Sequence, residues 1–136
     1  MMRQGGCLCG SVRYQVEGEP ISSGICRCRT CRKVASAPAL PFTTLPAGAF
    51  TFTKGKPVEF RSSPAVTRSF CGRCGSPLTY RTDQQPGCID VMTCSLDEPG
   101  AIPPSFHAWT SHKLSWEHVA DGLPAYKTTR AAGERA

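Results

Sequence analysis

Seven of the nine cysteines in this chain fall into three tight groups: Cys7-Leu8-Cys9, Cys26-Arg27-Cys28-Arg29-Thr30-Cys31 and Cys71-Gly72-Arg73-Cys74. Thiolates at such spacing are metal ligands, above all for zinc. Zinc takes four of them in a tetrahedron at structural sites and keeps one position open at catalytic ones. The competing chemistry is a disulfide framework in an oxidising compartment. The odd cysteine count argues against it, and cysteines one residue apart do not readily bridge each other. The N-terminal MMRQGGCLCG has no apolar stretch of the roughly 7–15 residues found in a secretory signal. No segment approaches the roughly 18 apolar residues of a membrane span. A cytoplasmic metalloprotein without a membrane segment is expected.

The seven sulfurs can be divided in two ways. Cys7 and Cys9 with Cys71 and Cys74 make one closed four-sulfur site. That leaves Cys26, Cys28 and Cys31 as a triple with an open fourth position. The alternative joins Cys7 and Cys9 to two members of the triple, strands its third sulfur and leaves Cys71 and Cys74 without near partners. The first partition keeps every cluster whole and predicts two zinc ions per chain, with the triple as the functional site. A second closed site remains open as a reading. Its fourth ligand would come from Cys88, Cys94, His107, His112 or His118, each of which, read alone, is an ordinary buried thiol or hydrogen-bonded imidazole. On a strand, residues i and i+2 share a face, so Cys7 with Cys9, and Cys26 with Cys28, are expected to present their sulfurs together.

Arg27, Arg29, Arg32 and Lys33 crowd the triple. Cations beside thiols favour the thiolate. They neutralise the cluster, simply face solvent, or hold a substrate carboxylate, for which arginine's planar fork is suited. The net charge of +6 invites a nucleic-acid reading. Zinc–thiolate clusters are themselves anionic, however, and absorb part of that charge. The basic residues also lack the interleaved aromatics of a base-stacking surface. The charge is therefore weak support for nucleic acid, which is not the expected partner.

The elements that must position these residues are short. A chain of 136 residues is one domain's worth. Residues 11–17 alternate, with Val12, Tyr14 and Val16 on one face, as in a half-buried strand. Further strands are expected at 39–42, 50–53, 58–61, 66–70, 78–81 and 88–94. The 12 prolines punctuate every longer run, so helix is limited to single turns at 31–37 and 115–119. The fold class expected is mostly β. Residues 127–136, KTTRAAGERA, lack core-forming side chains and are expected to be a mobile tail.

With these residues in view, the chain resembles the glutathione-dependent formaldehyde-activating enzyme family, which includes centromere protein V. The resemblance runs over residues 3–126, through GGCLCGSVRY, CRCRTCRK, RSFCGRCGSPLTY, SLDEPG, PPSFHAW, SW and DGLPAY. It implies a zinc-binding β-tent fold of small antiparallel sheets. It also implies a structural zinc on Cys7, Cys9, Cys71 and Cys74, and a second, exchangeable zinc on Cys26, Cys28 and Cys31. Two departures touch the site. Arg27 stands where the family often has histidine, and Cys94 where it often has glycine.

Two functions of different class follow. The first is a zinc-dependent carbon–sulfur lyase acting on the adduct of a small thiol such as glutathione with a small aldehyde, in the manner of S-hydroxymethylglutathione. Arg27, Arg29 or Arg32 would hold the thiol's carboxylates, and His107 or Asp90 would be the candidate base. The second is a non-catalytic zinc module that binds a macromolecular partner or nucleic acid, the latter through the arginine-rich loop of the triple.

Overall fold

The alternation of Val12, Tyr14 and Val16 builds the first sheet. All three are almost fully buried, because every second side chain of a strand faces inward. The computed structural model describes residues 1–136. Its first sheet has three antiparallel strands in the order β1 (Met2–Gly6), β2 (Arg13–Glu17), β5 (Phe50–Lys54). The second sheet has seven. In spatial order they are β10 (His107–Ala108), β3 (Ser22–Cys26), β4 (Leu40–Pro46), β9 (Cys88–Met92), β8 (Pro77–Thr82), β7 (Val66–Phe70) and β6 (Val58–Ser63). Its pairings are antiparallel apart from β10 against β3, which is parallel. The fold is mostly β, as expected, although one sheet is larger than the resemblance implies. The sole α-helix, α1, spans Arg29–Ala35.

The core lies between the two sheets. Leu45, Ile89 and Val91 of the large sheet meet Val12, Tyr14, Val16 and Phe50 of the small one, and Cys7 and Cys71 belong to the same buried cluster. The opposite face of the large sheet follows from its register. Cys26 pairs with Leu40 and Phe42 with Met92, while Thr44, Asp90, Tyr80, Arg68 and Phe60 form one row across five strands.

Several elements differ from the sequence reading. Residues 115–119 form no helix. β9 stops at Met92, where Ser95 Oγ bonds the Met92 carbonyl and a 3-10 turn over Thr93–Ser95 begins. Residues 127–136 turn back on the chain. The Lys127 amide bonds the Glu134 carbonyl, the Ala136 amide bonds that of Ala125, and Arg130 lies 4.5 Å over the Phe106 ring.

Candidate metal centres

Cys7 and Cys9 stand in the β1–β2 connection, and Cys71 and Cys74 in the β7–β8 connection. The expected strand geometry for Cys7 and Cys9 is replaced by a tight turn: the Gly10 amide bonds the Cys7 carbonyl and the Cys7 amide bonds that of Val12. The second connection is built alike, with Gly75 N bonding Cys71 O. Gly10 and Gly75 have φ of 78° and 79°, the left-handed region that favours glycine. Each is followed by a serine that serves the sulfurs. Ser11 Oγ lies 3.0 Å from Cys9 Sγ and 3.3 Å from Cys71 Sγ, and Ser76 Oγ lies 3.1 Å from Cys74 Sγ. The sequence reading missed both serines. The signal was the repeated Cys-Gly-Ser at 9–11 and 74–76.

These four sulfurs all lie within 4.8 Å of one another. Cys7 to Cys9 is 3.6 Å and Cys9 to Cys71 is 3.8 Å. Zinc–sulfur bonds of about 2.3 Å at tetrahedral angles place sulfurs about 3.8 Å apart, so the donor set fits the ion. Backbone amides of Val12, Arg73 and Cys74 point at the Cys7 and Cys71 sulfurs at 3.3–3.4 Å. Burial works to raise the Cys7 thiol, but the Val12 amide, Cys9 and Ser11 outweigh it and hold the group at about 7. The Ser76 hydroxyl leads in pulling Cys74 down to about 5. Thiolate, the ligating form, is favoured at both positions.

The triple arises differently. Cys26 ends β3, Cys28 caps α1 and Cys31 sits in its first turn. Only Cys26 is on a strand, so helix capping brings these sulfurs together, not a shared strand face. Cys28 Sγ accepts the Cys31 amide at 3.3 Å, the ordinary N-cap bond with sulfur in place of oxygen. Hydrogen bonds from Cys26 and then Cys31 pull Cys28 down to about 2, while bonding to Cys28 pushes Cys26 up to about 11. The three sulfurs lie within 4.8 Å of one another, and no fourth cysteine, histidine or carboxylate joins them. Cys88, Cys94, His107, His112 and His118 all stand outside the cluster.

The cations around the triple separate. Arg29 and Lys33 are exposed and Arg32 is half-buried, its Nε bonded to the Arg27 carbonyl. Arg27 does not face solvent. It is 4% exposed, its Nε and Nη2 donate to the Glu117 carboxylate and its Nη1 to His107 Nδ1 at 2.7 Å. Its side chain is therefore filled by protein partners, which corrects its reading as a substrate-binding arginine. Arginine can only donate, so His107 Nδ1 accepts and the ring proton sits on Nε2, which faces Asp121 at 2.9–3.0 Å. With both nitrogens used, His107 is no free base. Asp90 stays on the triple's face of the sheet. Its carboxylate accepts from Thr44 Oγ1 at 2.6 Å, and burial raises its protonation range.

A family model described as glutathione-dependent formaldehyde-activating enzyme matches residues 2–112. A Halomonas elongata protein named "Putative glutathione-dependent formaldehyde-activating enzyme" is 27% identical over 129 residues, covering 88% of this chain and 82% of that protein. An uncharacterized lyase of Schizosaccharomyces pombe is 32% identical over 79 residues, 57% of this chain and 56% of that one. The crystal structure of a Rhodobacter sphaeroides protein superposes with a TM-score of 0.61 at 20% identity, covering 74% of this chain and 91% of that one. That last likeness concerns the fold. No helix is long and apolar enough to cross a membrane.

Proposed function

Because this chain belongs to the glutathione-dependent formaldehyde-activating enzyme family, we propose that it is a zinc-dependent carbon–sulfur lyase acting on the adduct of a small thiol with an aldehyde. The observation that carries the reading is the contrast of a four-thiolate set at tetrahedral spacing with a three-thiolate set that has no fourth protein ligand. Zinc in the triple would supply an open position that favours a thiolate over a thiol. The chain's own residues would do the rest. Cys26, Cys28 and Cys31 hold the ion, and α1 fixes their geometry through the Cys28 cap. Arg29, with Arg32 and Lys33 beside it, receives the carboxylates of a thiol such as glutathione. Arg27 is a positioning residue: through Glu117 and His107 it anchors the segment between Cys26 and Cys28 to the C-terminal part of the chain. Cys7, Cys9, Cys71 and Cys74 would hold a structural zinc at the edge of the core, with Cys7 and Cys71 buried and Cys9 exposed.

Calorimetry tests this. Glutathione should bind the zinc-loaded protein, and titrations in two buffers of different ionisation enthalpy should show one proton released per thiol at neutral pH. A free thiol, with a pKa near 8.5, is mostly protonated there. Glutathione should bind more tightly than a neutral thiol of similar size, and added salt should narrow that gap without abolishing binding. No binding by any thiol would remove the open position and leave the non-catalytic zinc module as the reading.

A further inference from the structure

A groove with two lobes crosses the end of the large sheet where β4 begins and β9 finishes. The smaller lobe has a volume of about 160 Å³ and is walled by Val34, Phe60, Phe70, Pro77 and Met92, with Arg68 alongside. The larger, about 440 Å³, is lined by Leu8, Arg13, Leu40, Cys94 and Asp97 and shares Pro77 and Met92 with the first. One neighbour of the triple lines each lobe. Val34 follows Cys31 by three residues on α1, and side chains so spaced are neighbours on a helix surface. Leu40 is the cross-strand partner of Cys26.

The smaller lobe has a definite chemistry. The lobe is half open and carries Ser69, Thr79 and Arg68 beside its apolar wall, but its volume is that of a closed cavity that accepts benzene, so by size it accommodates a ring or branched chain of about six carbons. Formaldehyde has a single carbon and no apolar body, and would leave Val34, Phe60 and Phe70 facing water. Arg68 gives its Nε to Ser62 Oγ at 3.2 Å, stacks 5.0 Å over the Tyr80 ring and takes part in none of the chain's salt bridges. A guanidinium over an aromatic ring offers a flat wall for another ring.

We propose that the smaller lobe is the carbonyl-side specificity pocket, and that the adduct handled here joins the thiol to an aldehyde with an apolar body of about six carbons. The proposal rests on the triple being the thiol site. In the addition direction a sulfur lone pair bonds the carbonyl carbon, the carbonyl π pair moves to oxygen, and that oxygen takes the proton the thiol gives up. The reverse step returns all three, and nothing is oxidised or reduced.

The test uses the zinc-loaded full chain with glutathione and, in turn, formaldehyde or phenylacetaldehyde, with adduct formation and cleavage followed by carbon-13 exchange NMR. The kcat/KM for phenylacetaldehyde should exceed that for formaldehyde at least tenfold. Val34→Trp, which fills the lobe from the surface of α1, should raise KM for the phenylacetaldehyde adduct at least tenfold. Phe60→Ala, on the exposed edge strand, should raise it about threefold and guards against a Val34→Trp protein that does not fold. Glutathione binding is read on the same samples. Thiol binding with formaldehyde preferred, or with no exchange of either aldehyde, overturns the pocket alone. Loss of thiol binding overturns the reading beneath it.

Discussion

The two thiolate clusters are made of one residue type and set into opposite faces of the large sheet. The four-sulfur cluster draws on two connections 62 residues apart, and Cys7 and Cys71 count among the twelve residues of the buried core. The triple comes from six consecutive residues on the far face, with only Cys26 fully buried. A ligand set that joins distant loops is a crosslink, and its metal energy becomes folding energy. A set drawn from one short segment joins nothing, so a metal held there could leave while the fold persists. The chain holds that segment by other means: Glu117 and His107 grip Arg27, and Asp121 grips His107.

The sharpest way to break this contrast is to remove one ligand from each cluster. Cys74→Ser should leave the protein unfolded or insoluble, because structural zinc contributes on the order of 10 kcal/mol in small metal-folded peptides, as much as a whole domain's stability. Cys28→Ser should leave a folded protein with one zinc instead of two, read by circular dichroism and metal analysis. Inverted outcomes would exchange the roles of the clusters. Mild chelator should sort the wild-type ions in the same way, with the triple emptied first.

Arg27→Met should cost about 3 kcal/mol in denaturant unfolding, the lower end for breaking a buried ion pair, since Glu117 keeps 21% of its side chain exposed. It should also weaken zinc at the triple while the closed cluster stays loaded; equal loss from both would deny the anchor its local role. Ser11→Ala and Ser76→Ala should each cost about 1.5–3 kcal/mol, the scale of a hydrogen bond to a charged group, with faster zinc loss confined to the closed cluster.

The smallest effect concerns Asp90, on the triple's face. Burial raises its folded-state pKa above the unfolded value, so the folded protein binds the extra proton between the two values. Its contribution is therefore most favourable below the unfolded pKa, falls as pH rises toward the folded pKa and is flat above it. Asp90→Asn keeps an acceptor for Thr44 and should flatten that part of the stability–pH curve without moving the closed cluster. An unchanged curve would remove Asp90 from the account.

How much of this was legible follows from what spacing encodes. Three cysteine groups and the alternation of Val12, Tyr14 and Val16 are local patterns, and the clusters and β2 appear where those patterns lie. β3, SSGIC, and β1, MRQGG, carry no apolar alternation and become strands because neighbours complete their hydrogen bonds. Arg27 was legible as a cation but not in its direction. That is set by Glu117 and His107, 90 and 80 residues further on. Ser11 and Ser76 were half legible: each bonds the cysteine two residues before it in its own turn, but Ser11 reaches Cys71, and Ser76 the Leu8 amide, only when the two turns meet.

The 62-residue separation within the closed cluster also sets an order in time. Loop-closure entropy grows as the logarithm of loop length. Bringing Cys9 to Cys71 therefore costs about 2 kcal/mol more than closing the five-residue step from Cys26 to Cys31. In a chain that has not yet folded, the triple is the cluster able to chelate. A first ion would then be captured locally and early, while a second would wait for both sheets to assemble. Refolding with metal present should show zinc uptake in two phases, the slower coinciding with burial of the core. Because such an early ion would also bind the unfolded chain, it would favour the native state less than its affinity alone would indicate.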